Sequence, residues 1–552
     1  MRLSPSAHAD TFCRDNLPPD GLWPDLEFTL PELQYPERLN AAAELLDATA
    51  ERLGGARPCL LAEDRTAWSY DDVVRLSNQV AWVLADELGV VPGNRVLLRG
   101  PNNPWLAVCW LGVLKAGAVA VTTMSLLRSG ELATICDVSR PAVALCDHRF
   151  TDELTAGVPG LPIVSYGGPG PEDLVARVEP MPRNFSAVDT AADDVAMIAF
   201  TSGTTGRPKA AMHFHRDLLA IADTFSAHVL KPRADDVFTG TPPLAFTYGL
   251  GGLLVFPLRA GASTLLLEKA TPAELAEQIA AQGVTVLSTA PTAFRAMLAA
   301  GKADQLRGLR RPVSAGEHLS ASVWQAFYDA TGVKIIDGIG STEMLHIFIS
   351  SSDDEIRPGS TGRAVPGYEA AILDADGKPA PDGTPGRLAV KGPTGCRYLA
   401  DERQRTYVQD GWNFTGDTYV RDGDGYFWYQ ARSDDMIISG GYNIAGPEIE
   451  EVLLGHPDVA ECGVVGVPDE ARGQIVKAFV VLADGESGGE AKAAELQEFV
   501  KQRIAPYKYP RAVEFLPSLP RTNTGKLQRY RLRSLSAPGS VRRGPGSPGP
   551  TP

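Results

Sequence analysis

Between Phe200 and Lys209 the chain reads Phe200-Thr201-Ser202-Gly203-Thr204-Thr205-Gly206-Arg207-Pro208-Lys209, four hydroxyl side chains and two glycines closed by a lysine. Such a segment can wrap a polyphosphate: glycine lets the backbone approach oxygens, hydroxyls and exposed N–H groups donate hydrogen bonds, and Lys209 adds positive charge. The spacing is not the GxxxxGK[ST] of the common nucleotide loop. Far downstream, Pro520-Arg521-Thr522-Asn523-Thr524-Gly525-Lys526 sets a second lysine behind a short polar run. The chemistry that the two segments suggest together is activation of a carboxylate by ATP. Taken singly, each has a plain alternative, a solvated linker for the first and a surface lysine for the second.

Such a loop needs a rigid strand behind it, and Val195-Ala196-Met197-Ile198-Ala199 reads as one, short and buried. Further β-rich runs, Arg95–Leu98, Ala118–Val121, Ala142–Leu145, Ser263–Leu267 and Val284–Leu287, alternate with helix-like stretches. One of these, Thr271 to Ala281, opens with a Thr-Pro capping pair and an acidic first turn. This alternation predicts an α/β fold of mainly parallel sheets with ligands beyond the carboxyl ends of the strands. Past Gly362, short strands with Asp/Gly turns such as Asp374-Ala375-Asp376-Gly377 predict an antiparallel β-subdomain. The expected division is a large N-terminal domain over 1–433, a small α/β domain over 434–533, and a tail over 534–552 whose Ser, Pro, Gly and Arg cannot build a core.

With 552 residues the chain exceeds one hydrophobic core. Its net charge of −15 argues against nucleic acid or an anionic membrane as the main partner. Seven scattered cysteines without a CxxC pair fit reduced thiols in the cytoplasm better than a disulfide framework. The N-terminus lacks the apolar core of a signal peptide. The longest apolar stretch, Trp105 to Leu114, is about half of the ~20 residues that a membrane span requires. A soluble cytoplasmic protein is expected. A homodimer stays open, since no motif supports one.

Further segments complete a pattern: Gly338-Ile339-Gly340-Ser341-Thr342-Glu343, Thr415-Gly416-Asp417, Tyr429-Gln430-Ala431-Arg432-Ser433-Asp434-Asp435 and Ser439-Gly440-Gly441-Tyr442-Asn443-Ile444. With the two lysine segments and in this order, they make the chain resemble the acyl-adenylate-forming superfamily of acyl-CoA synthetases, luciferases and peptide-synthetase adenylation domains, over nearly all of 40–533. The resemblance implies a large domain and a small mobile one hinged at Asp434, with ATP, Mg²⁺ and coenzyme A as reactants. It implies catalysis by Lys526, whose ammonium bridges the acid and the α-phosphate. Glu343 is implied as the Mg²⁺ ligand, assisted by Thr204, although Ser341 or Thr342 could equally cap a helix. Nucleotide contacts are implied for Thr201, Ser202, Gly203, Thr205, Gly206, Lys209, Gly338, Ile339 and Thr342, with Asp417 and Arg432 at the ribose or phosphates. Ile339 stands where many relatives carry an aromatic residue, so its adenine contact would be aliphatic. In a second pose Gly440 and Gly441 would make room for the pantetheine arm.

The acid pocket is implied for Phe246, Thr247 and Tyr248, for Gly316, and for Met344, Leu345 and His346. Its bulky aromatic walls suit a flat ring. Within the superfamily the wording resembles the benzoate-CoA ligase branch, and 2-aminobenzoate-CoA ligases most closely. His346 and Thr247 would read an ortho substituent, although a lone histidine among apolar neighbours is ordinarily a satisfied core residue. His213 and His215 lack a third ligand and read as structural. The alternative acceptor is a carrier-protein thiol, and Arg472, Lys477, Lys501 and Arg503 are the candidate contacts for a coenzyme A phosphate.

Overall fold

The computed structural model describes residues 3–64, 66–201, 208–432, 435–439, 442–469, 472–483, 486, 488–504, 506–522 and 526–536. The chain forms two compact units, Met1–Thr415 with Tyr419–Trp428, and Gly416–Thr418 with Tyr429–Pro552. The expected hinge, Asp434, lies outside the described residues. Of the expected tail, residues 537–552 lie outside them as well, while Ser534 and Leu535 end the helix Arg529–Leu535.

Two α/β sheets dominate the large unit. The first runs, in spatial order, Ile163–Tyr166, Val143–Asp147, Arg95–Gly100, Val119–Met124, Val195–Thr201 and Lys209–Phe214. Its pairings are parallel up to the last, where Val195–Thr201 and Lys209–Phe214 form an antiparallel hairpin. Leu97, Val119, Val121, Ile198, Met212 and Phe214 make its buried face. The second sheet has a parallel centre, from Ile336–Gly340 through Arg311–Ser314, Val286–Thr289, Val237–Gly240 and Ser263–Leu265 to Pro58–Leu61. Antiparallel strands close both edges. Parallel pairing demands crossovers, and the helices supply them with the local signals that the sequence carries. The helix Pro272–Ala281 is the plainest: Thr271 Oγ1 accepts from the Glu274 N–H at 3.3 Å, and Glu274 Oε2 accepts from the Thr271 N–H at 2.8 Å. This is a reciprocal capping box.

The apolar stretch at Trp105 becomes the helix Pro104–Lys115, buried on almost every side. No described helix is long and apolar enough to cross a membrane. All seven cysteines are buried and none is in a disulfide. The β-subdomain contains Glu369–Leu373, Gly386–Lys391, Trp412–Arg421, Val408–Gln409 and Phe427–Arg432. Its expected turn forms around Asp374, whose Oδ1 accepts from the N–H groups of Asp376 and Lys378 at 2.9 Å. In the small unit a sheet of Tyr442–Ile444, Ile437–Ser439, Gly473–Leu482, Val459–Asp469 and Ala512–Phe515 packs Ile449, Leu453, Val464, Val476, Ala478 and Leu496 into its own core.

Candidate functional site

The hairpin Val195–Thr201/Lys209–Phe214 sets Thr201 directly opposite Lys209. The turn between them, with Ser202, Gly203, Thr204, Thr205 and Gly206, lies outside the described residues. Lys209 is therefore aimed by a strand. Its Nζ donates to the Tyr398 hydroxyl at 3.1 Å and stands 4.0 Å from Glu343 Oε1. Tyr398 in turn donates a short hydrogen bond to that carboxylate oxygen. Glu343 is 7% exposed.

Glu343 follows the strand Ile336–Gly340, and the turn that presents it is tightly held. Ser341 Oγ pairs with the Tyr407 hydroxyl at 3.0 Å and accepts from the Met344 N–H at 3.1 Å. Leu345 donates its N–H to the Thr342 carbonyl at 3.2 Å and has a φ of 69°, a left-handed conformation that costs a leucine on the order of 1 kcal/mol and marks a turn fixed by its surroundings. His213 Nε2 lies 2.8 Å from the same carbonyl. Because a carbonyl only accepts, Nε2 carries the proton. Burial, helped by the nearby Arg397, lowers the His213 pKa to about 3, so the ring is a neutral donor. At Gly340 a Cβ would meet the His346 carbonyl oxygen at 2.6 Å, so only glycine lets the turn fold back on its strand.

The chain from Met344 to His346 is buried. Thr394 Oγ1 donates to the Met344 carbonyl at 2.8 Å. The His346 ring is boxed by Phe256, Phe225 and Tyr248 at centroid distances of 4.6, 5.4 and 5.6 Å. Neither ring nitrogen has a well-formed hydrogen bond among the described residues, and burial, opposed by the nearby Tyr248 backbone, lowers its pKa to about 3. The box exists because residue 251 is glycine: a Cβ there would lie 2.3 Å from the imidazole. Phe246 and Thr247 open the short helix Thr247–Leu250. Tyr248 donates toward the carbonyls of Val313, at 3.0 Å, and Thr289, at 3.2 Å, which pins it to two neighbouring strands. Gly316 lies three residues after Val313. Tyr248 and His346 thus bring the two segments named from the sequence into contact, with ring centroids 5.6 Å apart.

Several polar groups here left no mark in the sequence. Tyr398 and Tyr407 are two. Another is the Arg397–Asp217 ion pair, wholly buried beside His213. A further one is Asp337, on the strand that carries Gly338 and Ile339. Burial, opposed by Ser314 and the Gly338 backbone, raises its carboxyl from the usual 3.8 to about 8. A raised acid pKa means that the folded state holds a proton that the unfolded chain releases above about pH 4, so stability falls between there and about pH 8. Asp337→Asn removes that penalty. Its urea midpoint relative to the native protein should rise from pH 5 to pH 8, and a constant difference would refute the assignment. His213 and His215 are both buried, and His215 Nδ1 accepts from the Ala41 N–H at 3.1 Å, which fits their structural reading.

In the small unit, Arg432 Nη1 donates to Asp417 Oδ1 at 3.2 Å, and Asp417 is 8% exposed. Burial and that carboxylate push the neighbouring Tyr429 phenol up. Lys526 is exposed on a separate hairpin: its N–H donates to Thr522 Oγ1 at 3.0 Å, and its carbonyl accepts from the Thr522 N–H at 2.8 Å. Gly440 and Gly441 lie outside the described residues. Of the basic candidates for a phosphate, Lys477 is paired with Glu514 at 2.9 Å and Arg503 stacks on the Phe499 ring at 3.4 Å.

Residues 46–398 match the family described as AMP-binding enzyme, and residues 448–526 match the AMP-binding enzyme C-terminal domain. The benzoate–CoA ligase of Thauera aromatica is 35% identical over 517 residues, which covers 92% of this chain and 98% of the relative. Among solved structures, an anthranilate CoA ligase in complex with anthranoyl-AMP superposes with a TM-score of 0.86 at 35% identity, over 92% of this chain and 99% of that one. A benzoate CoA ligase from Burkholderia xenovorans LB400 gives a TM-score of 0.82 at 32% identity, over 90% of this chain and 100% of the other.

Proposed function

The chain belongs to the AMP-binding enzyme family and is an acid–thiol ligase, and on that premise we propose that it joins a benzoate-like aromatic acid, 2-aminobenzoate first, to coenzyme A. In the first step a carboxylate oxygen attacks the α-phosphorus of ATP, and pyrophosphate leaves with the bonding pair. In the second, the thiol sulfur attacks the acyl carbon, AMP leaves, and the thiol proton is lost to solvent. Both steps build negative charge on or beside the α-phosphate, and fixed cations there supply most of the catalysis. In the first step Lys526 takes that role. Its side chain is exposed, next to a backbone tied at Thr522. Thr201 and Lys209 flank the turn that would wrap the phosphates, and Asp417 offers its carboxylate to the ribose diol beside Arg432.

Mg²⁺ fits the residues present. Glu343 is a buried carboxylate with an ammonium 4.0 Å away, at the foot of the phosphate hairpin. Magnesium usually takes one or two carboxylates and completes its shell with phosphate oxygens and water. When bound, it would neutralise phosphate charge. Rotation about Asp434 would then exchange Lys526 for the Gly440-Gly441 loop between the two steps.

The observation that carries the choice of acid is the His346 box. Three aromatic rings surround an imidazole kept neutral by burial, with neither nitrogen in a well-formed hydrogen bond among the described residues. A neutral imidazole presents one acceptor, which suits the N–H of an ortho amino group, and Thr247 adds a hydroxyl. The anthranilate complex of the structural relative supports the same acid. The acceptor is coenzyme A rather than a carrier-protein thiol, in line with the named relatives.

The test is AMP release with ATP and Mg²⁺ on benzoate, 2-aminobenzoate, 2-hydroxybenzoate and a medium-chain fatty acid, each with and without coenzyme A. Turnover with 2-aminobenzoate that requires coenzyme A and yields the thioester is expected; pyrophosphate release that coenzyme A does not pull to thioester would overturn the acceptor. His346→Ala combined with Thr247→Ala should cut the kcat/KM preference for 2-aminobenzoate over benzoate roughly fivefold, about the worth of one net hydrogen bond. An unchanged preference would refute the ortho reading.

A further inference from the structure

Glu343 is approached by two donors from separate parts of the chain. Lys209 begins the strand Lys209–Phe214, and Tyr398 lies in the segment bridged antiparallel to Ala211 of that strand. The phenol stands between the two charges: it accepts from Lys209 Nζ at 3.1 Å and donates to Glu343 Oε1. Its polarity follows from its neighbours. An ammonium only donates and a carboxylate only accepts, so the single phenolic proton must point at Glu343. The ammonium also lies 5.1 Å from the Tyr398 ring centroid and 5.9 Å from that of Tyr407. Tyr407 continues outward to Ser341, so two phenols brace the turn on either side of Thr342. The Tyr398 backbone is fixed as well: its N–H donates to Gln404 Oε1 at 2.9 Å, and the flanking Leu399 N–H donates to the Ala210 carbonyl at 2.9 Å.

We propose that Tyr398 is a positioning residue for the cation-binding carboxylate, an inference that rests on the reading of Glu343 as the Mg²⁺ ligand. The phenol does two things at once. It pins Oε1 with a fixed donor, which sets the orientation that the rest of the carboxylate presents. It also fills the space between carboxylate and ammonium, and so keeps the Lys209–Glu343 separation at 4.0 Å instead of a direct contact. Removing the hydroxyl lets the two charges close on each other. A divalent cation would then have to break an ion pair before it could bind. Partners that orient a metal ligand in this way commonly account for about 10–100-fold in metal affinity.

The full-length protein is titrated with Mn²⁺ in the presence of saturating ATP, with free Mn²⁺ read by electron paramagnetic resonance. ATP binding without metal and the melting temperature are read alongside. Tyr398→Phe removes one buried oxygen and should weaken Mn²⁺ about tenfold, leaving metal-free ATP affinity and melting close to native. Glu343→Gln should lose more. In the Glu343→Gln background Tyr398→Phe should cost nothing further, because its effect runs through a carboxylate that is gone. Native-like Mn²⁺ affinity in Tyr398→Phe overturns the proposal, as does an equal loss in both backgrounds. If Glu343→Gln itself binds Mn²⁺ like the native protein, the metal-ligand reading falls, and the proposal with it, by an outcome distinct from the other two.

Discussion

Lys526→Ala is expected to lower the rate of adenylate formation roughly 10²–10³-fold, the loss typical of one fixed charge at a developing oxyanion. In the proposed mechanism the ammonium is brought to the α-phosphate in the first step only, so the damage should be confined to that step. ATP–pyrophosphate exchange in the presence of 2-aminobenzoate reads the first step alone. Release of AMP from pre-formed acyl-AMP and coenzyme A reads the second, and this should stay within a few-fold of native. The substitution should not unfold the small unit, because Lys526 is exposed and the two hydrogen bonds that tie it to Thr522 use its backbone. Exchange within a few-fold of native would remove Lys526 from the mechanism. Equal loss in both steps would show that it serves the acid or the nucleotide in general.

The largest stability effect should come from Arg397→Met. Arg397 and Asp217 are each 0% exposed and joined by a short ion pair. Asp217 also accepts from the Phe214 N–H at 2.9 Å. Removing the guanidinium leaves a carboxylate in a place where burial already pushes its pKa up. Breaking one half of such a pair costs about 3–5 kcal/mol, whereas replacing both halves with apolar groups of similar volume can be neutral. Arg397→Met should therefore shift the urea midpoint of the large unit well down, and Arg397→Met with Asp217→Leu should recover most of the loss. A double variant no better than the single one would mean that the pair matters for more than its charge balance. The turn that presents Glu343 should feel the single variant too, since His213 stands 3.9 Å from Asp217 and holds the Thr342 carbonyl.

What the sequence made legible follows from local rules. The capping box at Thr271, the Asp374 turn and the alternation of buried strands depend on neighbours within a few residues, and they formed as expected. Lys209 and Glu343 could be named because each sits in a long, distinctive motif. Tyr398, Arg397, Asp217 and Asp337 could not. Arg397 meets its partner across 180 residues of sequence, and Asp337 is perturbed by burial, which no local pattern encodes. The wide π-helical turns at Ala222–Leu230 and Gly251–Val255 were equally hidden.

The seven buried cysteines acquire a meaning from the chemistry proposed for the chain. A mixed acyl–phosphate anhydride acylates any thiolate that it meets, and the intended recipient is a thiol that arrives later. Burial pushes the thiols of Cys136 up to about 11 and of Cys13 and Cys146 up to about 12, and those of Cys59, Cys109 and Cys396 are raised as well. Cys396 is the telling case, two residues from Tyr398, with its Sγ held 3.5 Å from the Gln404 side-chain oxygen and the Glu343 charge adding to the burial. A protein that makes so reactive an anhydride has every reason to keep these six sulfurs protonated and out of reach, and so to escape self-acylation while it waits for its acceptor.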